Sequence, residues 1–379
     1  MAYTVEAVEG RRGMARFIDV PWHLFDRGRY PQWSPPLRVM TRDLIDPSRD
    51  PFYRHADIRL FVASDGRRLL GRVAAVENRA HNQHHGDRVG FFGFFECVDD
   101  PGVARDLLGA AEGWLRERDL EVARGPISPS MNHECGLLVD GCEGETMILT
   151  PWNPAHYDGL LTAAGYAKAK DLLAYDLPLK IGADVFGRTA RVAARISKRA
   201  GLTFNDGTSV KFAEEMPRLW PLYVEAWEGN WGFVPPSLEE FTHLAKGLKP
   251  IMDMRYCCVA KIDGEPVGFW IVVRNFNRVF KKIPSGRLGP MALWHLLVGS
   301  RKVNEGRIIL FGLKKEVRKL GLYPVFVHEV VTRAMADGAF RGEGSWILED
   351  DTDSVSPLES IGARPNRRWR IYDKVLVDA

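Results

Sequence analysis

The sequence has too few cysteines for a disulfide framework. There are five in 379 residues (Cys97, Cys135, Cys142, Cys257 and Cys258), an odd number with no C-x-x-C spacing. That excludes the usual zinc and dithiol motifs and points to reduced thiols in the cytoplasm. No stretch approaches the roughly 20 apolar residues of a membrane span, and the opening MAYTVEAVEGRRGMARF lacks the apolar segment of a secretory signal. A net charge of +3 is too small to argue for nucleic acid as a partner. No G-x-S-x-G is present, which disfavours a serine nucleophile on an elbow turn. His81-Asn82-Gln83-His84-His85-Gly86 has the composition of a metal loop, but it fits a hairpin equally well; no metal is expected.

What is present is the material of a globular enzyme: 45% hydrophobic and 27% charged residues, in a chain long enough for two domains. Arg307 to Gly338 organises the second half. Ile308 to Leu313 is an apolar run of strand length. A helix is expected to open near Pro324, to repeat Val327, Val330, Val331, Ala334 and Met335 on one face, and to stop at Gly338. Between them lies the basic loop Lys314 to Leu322. A glycine-bearing loop that runs into a helix N-terminus is suited to anions, because free N–H groups and the positive dipole end converge there.

The two halves repeat each other. Val62 to Asn78 and Val259 to Asn275 are both hairpins with an Asp-Gly turn, and each is followed by strand, helix and strand. In the first half the apolar strand is GFFGFFE (Gly90 to Glu96), the next helix carries Val103, Leu107, Ala111 and Trp114, and Asp99 or Asp100 can cap it. The expected architecture is α/β with a mixed sheet. Its domains are residues 1–180 and 205–379, joined by a basic linker helix at 181–204 whose Arg188, Arg191, Arg195, Lys198 and Arg199 form a solvated face. The Pro- and aromatic-rich segment from Pro21 to Leu37 is read as packing onto the first domain rather than as a lid.

Arg318-Lys319-Leu320-Gly321-Leu322-Tyr323 resembles the pyrophosphate loop of the GNAT superfamily of acyl-CoA-dependent N-acyltransferases, whose pattern is Arg/Gln-x-x-Gly-x-Gly/Ala. Arg318 and Gly321 match, whereas Tyr323 stands where a small residue is usual. The resemblance implies two GNAT-like folds in tandem. Over nearly the whole chain it extends to proteobacterial tandem-GNAT proteins, a group that includes bacterial ceramide synthases, through GFFGFFE, GLLVDG, Asn-Trp-Gly-Phe and the RIY ending. It further implies acyl-CoA as co-substrate, held in the second half by Phe311, Leu313, Arg318, Lys319, Gly321, Leu322 and Tyr323, with a backbone N–H of Phe311 to Leu313 as oxyanion donor. In the first half Asp99 and Asp100 would repel a pyrophosphate, so that domain is expected to be degenerate and to form an acceptor-site wall.

Amine attack on a thioester needs a base more than an acid: neutralising an alkylamine at pH 7 costs roughly 4 to 5 kcal/mol, against about 2 for releasing a thiolate. The candidate bases are Glu349, which follows the strand Trp346-Ile347-Leu348, then Glu96 and Glu134. Leu161 and Leu358 occupy the place where many GNAT relatives carry an acid tyrosine. Asn132, in the cluster Asn132-His133-Glu134, either lines a site or stabilises a turn. Trp231 and Phe233 either line an acceptor channel or belong to the core. Residues 281–302 are an insertion whose apolar helix, with Trp294 and basic ends, suits a packed surface, a greasy substrate tunnel or a membrane interface. The function expected is acyl transfer to an amine, best a long-chain, sphingoid-type lipid amine, in the cytoplasm or at the inner face of its membrane. Small-amine acetylation and non-catalytic acyl-CoA or lipid binding are the alternatives.

Overall fold

The computed structural model describes residues 2–376 except 178–182, 210–211, 321, 337 and 339–340. Gly321 thus lies outside the described residues, as does the side chain of Tyr323. The chain forms two compact units: residues 1–172, 277–299 and 367–379, and residues 173–276 and 300–366. A division by chain order at 180 and 205 would instead place the insertion and the last strand in the second half. Sequence order cannot show which neighbour a segment joins.

The first unit opens with β1 (Thr4–Ala7), α1 (Gly10–Leu24) and α2 (Arg38–Ile45), followed by β2 (Ala56–Ser64) and β3 (Leu69–Asn78). A short α3 (Arg79–His85) leads to β4 (Val89–Cys97), α4 (Pro101–Arg116) and β5 (Val122–Gly125). Then come β6 (Ile127–Ser128), β7 (Glu134–Cys135), β8 (Leu137–Asp140) and α5 (His156–Ala163); β9 (Ala167–Leu177) runs on into the second unit. Strands β1 to β4 pair antiparallel in sequence order, and β5 joins β4 in parallel. The β2–β3 turn is the expected one: Asp65 accepts from the N–H of Arg67 and Arg68, and Gly66 takes a positive φ of 84°. Phe25, Tyr30, Trp33 and Trp152 pack ring against ring at 5.2–5.8 Å, two pairs edge to face and two tilted, so the aromatic segment packs as core.

The second unit follows the same order. The helix read as a linker is α6 (Ala183–Ala200), and its apolar side is part of a core: Ala193 is buried against Leu202, Trp270 and Phe326, while Arg191, Arg195, Lys198 and Arg199 face solvent. Then come β10 (Leu202–Asp206), α7 (Phe212–Trp227), α8 (Leu238–Leu248), β11 (Cys258–Ile262) and β12 (Glu265–Arg274). The next two helices, α9 (Asn277–Phe280) and, within the insertion, α10 (Pro290–Leu297), belong to the first unit. After them come β13 (Glu305–Leu313), α11 (Lys315–Arg318), α12 (Leu322–Ala336), β14 (Arg341–Leu348), α13 (Thr352–Ser360) and β15 (Arg364–Val375). Helix α12 begins two residues before Pro324, which stands at its third position. Strands β10 to β13 pair antiparallel in sequence order and β14 joins β13 in parallel, as β5 joins β4. The C-terminal half of β15 completes the first unit, pairing with β5 and β8. Among the described residues no helix is long and apolar enough to cross a membrane.

Candidate active site

Both copies of the repeat carry the same irregularity. In β4, Arg72 pairs with Glu96 and Ala74 with Gly93, so β4 has one residue more than β3 between those pairs. In β13, Ile271 pairs with Leu310 and Val272 with Ile308, leaving Ile309 as the extra residue. A bulge bends its strand and re-aims the backbone groups beyond it. In both copies the parallel neighbour then diverges: the β4–β5 ladder ends at Phe91–Arg124, and the β13–β14 ladder ends at Ile308–Gly344. Each bulged strand therefore opens a wedge on one side.

The first wedge is filled by the chain itself. Residues 125–128 turn into it, and Ser128 Oγ accepts the N–H of Phe94 at 2.8 Å. A Cβ on Gly93 would collide with the carbonyl of Ile127, and one on Gly125 with that of Phe92. The strand-to-helix link is only Val98-Asp99-Asp100, and the Asp100 carboxylate accepts from Gly102 N (2.8 Å) and Val103 N (3.3 Å). An anion already sits on this helix N-terminus.

The second wedge is not closed that way. Among the described residues no strand pairs with the β14-facing edge of β13 beyond Ile308, and Ile308 to Phe311 are only half-buried. Such an edge accepts an extended amide-bearing chain as an added strand. Beyond it the link to α12 has eight residues, three of them lysine or arginine at 314, 315 and 319 besides Arg318. Arg318 holds the loop rather than pointing away from it: its guanidinium donates to Ala226 O at 2.6 Å and Leu313 O at 3.3 Å. Glu225 accepts the N–H of Lys315 at 2.8 Å, and Glu228 pairs with the Lys315 ammonium at 2.6 Å. The carbonyl end of α7 is thereby clamped to the loop. Trp227 packs against Gly312, where a Cβ would come within 2.6 Å of its ring. Lys319 is exposed on the loop, while Leu313, Val317 and Leu322 are buried beneath it. Phe311 packs on Phe326, ring centroids 5.4 Å apart.

Where the two strands part there is a buried polar network that sequence reasoning missed. Arg307 and Glu343 are paired in register and essentially solvent-free. Arg307 donates to Ser345 Oγ (2.8 Å) and Ser345 O (3.1 Å), and Glu343 accepts from Ser345 Oγ (2.9 Å) and Asn366 (3.1 Å). Charges so deeply buried survive only when paired. The signal was there: Arg307 and Glu343 each stand just ahead of the apolar run of a strand.

The candidate bases divide between the units. Glu349 is exposed in the turn after β14, in the second unit. The neighbouring Asp351 caps α13, accepting from the N–H and hydroxyl of Ser354. Glu96 and Glu134 lie in the first unit and influence one another electrostatically. Tyr157 donates to Glu96 at 3.0 Å while accepting the N–H of Cys97 at 2.9 Å, and Arg72 approaches Glu96 at 3.7 Å. Burial pushes the Glu96 carboxyl up to about 7; Arg72 and the Tyr157 hydroxyl oppose the rise, and Glu134 adds to it. No sequence pattern indicated Tyr157 or Arg72.

The remaining candidates occupy different settings. Ser130 Oγ accepts the N–H of Asn132 at 3.2 Å and meets His133 Nδ1 at 2.8 Å, a turn-stabilising arrangement. Phe233 is core, against Tyr223 and Phe241; Trp231 is half-buried. Trp294 is 52% exposed on α10. No group of three or more metal-ligating side chains occurs among the described residues.

Comparison with known proteins agrees with this architecture. The chain is 34% identical to the bacterial ceramide synthase of Caulobacter vibrioides over 375 residues, 96% of this chain and 95% of that one. It is 30% identical to protein YghO of Escherichia coli over 373 residues, 96% and 93% of the two chains. No family model matches. Among solved structures, a tandem GNAT protein from the clavulanic acid biosynthesis pathway superposes with a TM-score of 0.55 at 13% identity, covering all of both chains. A GCN5-related N-acetyltransferase from Sphaerobacter thermophilus gives 0.54 at 12%, covering 100% of this chain and 96% of that one. At these identities the likeness is one of fold.

Proposed function

The chain belongs to the tandem-GNAT family of the bacterial ceramide synthase, and from that premise we propose that it is an N-acyltransferase that moves an acyl group from acyl-CoA to a long-chain lipid amine. The observation that carries the reading is the asymmetry of the two wedges. The first is closed by Ser128 and Asp100, and the second keeps its β13 edge open above a basic loop and a helix N-terminus. The pantetheine amides of the co-substrate are the kind of chain that adds to such an edge, and its pyrophosphate suits the loop. Gly321, Lys319 and Leu322 are the loop positions we assign to it, with Arg318 setting their placement through α7.

In the reaction the neutral amine nitrogen attacks the thioester carbon, a backbone N–H beyond the Ile309 bulge stabilises the oxyanion, and the C–S bond breaks as the proton released from the nitrogen passes to the sulfur, giving the amide and CoA thiol. The amine must first lose its proton. A raised affinity for protons, such as burial gives Glu96 in the first unit, is what a base working near neutrality needs. The lipid character of the acceptor and the long acyl chain follow the relative's name.

Calorimetric titration with CoA, acetyl-CoA and palmitoyl-CoA, repeated on Gly321→Glu, tests this. Tighter binding of palmitoyl-CoA that the substitution abolishes supports the reading. Equal affinity for all three moves the assignment to small-amine acetylation, and no binding by the unaltered protein overturns it.

A further inference from the structure

The insertion presents an apolar surface that the activity does not account for. Its base is stitched to the first unit: Trp22 donates to Pro284 O (2.8 Å), Arg38 to Ser285 O (2.8 Å) and through its N–H to Gly286 O (2.9 Å), and Arg27 to Lys281 O (3.0 Å). Gly286 is required there, with a φ of 63° and no room for a Cβ beside Trp22. Helix α10 is therefore held on an ordered pedestal. At about 100° per residue, its positions 290, 291, 293, 294, 297 and 298 share one broad arc, and Ala292, His295, Leu296 and Gly299 the opposite one. The second arc is the inner face: Ala292 is buried and His295 and Leu296 are half-buried. The first faces solvent with no polar side chain at all: Met291 is 68% exposed, Leu293 50%, Trp294 52% and Leu297 69%, continued by Leu288 at 52%.

The helix is apolar on both faces rather than amphipathic, and single exposed apolar residues would not merit comment, whereas a contiguous set does. Around it the charge is of one sign. From Pro266 to Asn304 the sequence contains no Asp or Glu. Arg278 and Lys281 are paired with Glu145, but Lys282, Arg287, Arg301 and Lys302 are exposed beside the helix in sequence. An apolar face rimmed by cations is complementary to an anionic bilayer surface, where the large side chains enter the acyl boundary and the basic groups meet the headgroups.

We propose that α10, with Leu288 and the basic residues that flank it, is the surface by which the protein docks on a membrane of anionic phospholipid. The inference concerns attachment and goes beyond the activity proposed above. Co-sedimentation with vesicles needs no turnover, so its failure and the failure of that reading are distinguishable.

The probe is vesicles of phosphatidylglycerol and phosphatidylethanolamine, compared with pure phosphatidylcholine. Binding is expected on the anionic vesicles, weakened ten-fold or more by Leu297→Glu and likewise by Met291→Glu, and about five-fold by Lys282→Glu or Arg287→Glu. These positions are exposed, so circular dichroism of each variant should match the unaltered protein. Three results would overturn the proposal: no binding to anionic vesicles, equal binding to phosphatidylcholine, or a dimer in sedimentation that Leu297→Glu converts to a monomer while vesicle binding is absent. The last would make a second copy the occupant of this face.

Discussion

Glu96 gives a prediction that does not depend on turnover. Its carboxyl titrates at about 7 in the folded chain against 4.5 for the free side chain, chiefly because burial disfavours the charge. Between those two values the folded state holds a proton that the unfolded state has released. Stability therefore falls as pH rises through that window and is constant above it. The difference of about 2.5 pH units corresponds to about 3 kcal/mol at full effect, since each unit is worth about 1.4 kcal/mol. The side chain is only 16% exposed, so solvent screening removes little of this. Glu96→Gln keeps the shape and an acceptor for Tyr157 while removing the titration. Urea unfolding of both proteins at pH 5, 6, 7 and 8 should show the variant gaining on the parent across that range, by 2 to 3 kcal/mol in total. A difference between them that does not change with pH would refute the assignment of a raised proton affinity, and with it the argument for Glu96 as base. If the assignment holds, Arg72→Met should move the inflection further up, because the cation 3.7 Å away opposes the rise.

Four further outcomes are expected. Arg318→Ala should weaken palmitoyl-CoA binding at least ten-fold in calorimetry, and Arg318→Lys should not restore it, since a lysine has no planar fork to span the carbonyls of Ala226 and Leu313. Gly312→Val should cost 1–3 kcal/mol in urea unfolding by displacing the Trp227 ring. Asp100→Ala should cost about 1 kcal/mol, the worth of a helix cap, without creating a second CoA site in calorimetry. Arg370→Ala should cost roughly 1.5–3 kcal/mol by removing the bidentate partner of the buried Asp171 carboxylate at 2.8 and 3.0 Å, with Lys168 at 3.0 Å left beside it. Burial opposes that carboxylate, yet the hydrogen bonds from Arg370 and Lys168 hold it below its ordinary value. The stability it confers is thus present near neutrality and lost as pH falls through the acid range, and the variant should lose less on acidification than the parent.

Much of the fold was legible because it is local. The Asp-Gly turn of β2–β3, the apolar strand β4, the stripe of α4 with its Asp100 cap and the strand–loop–helix of β13 to α12 are written within a few residues each. Their repetition at one long period identified a duplicated unit. What the sequence did not show is partnership at a distance. The basic face of α6 looks like a solvated linker until Ala193 is found in a core with Phe326. Arg318 matches a phosphate-loop pattern, but its side chain contacts carbonyls on its own chain, one of them 92 residues away. Tyr157 is an ordinary helical tyrosine until the fold brings its hydroxyl between Glu96 and the N–H of Cys97. In each case the residue type was readable, and the contact that gives it meaning was not.

The two wedges show how one scaffold reaches two ends. The bulge and the diverging parallel strand are retained in both copies, so they are properties of the repeat itself. An opened β edge leaves N–H and C=O groups that need partners, and there are two ways to supply them: from the chain, or from a ligand. The first copy uses the chain. Its short strand-to-helix link brings Asp100 onto the helix end, and residues 125–128 supply Ser128 to the bulge. The second copy lengthens the link to eight residues, so its helix end is reached by a basic loop, and no described strand pairs with the β14-facing edge of β13 beyond Ile308. Arg307 and Glu343, buried where β13 and β14 part, fix the point of divergence, because sliding either strand would break the hydrogen bonds that join Arg307 to Ser345 on the opposite strand. The second wedge is thus held in register from below and clamped at its mouth by Arg318 and Lys315. An opening so ordered before anything binds loses little conformational freedom when a ligand enters.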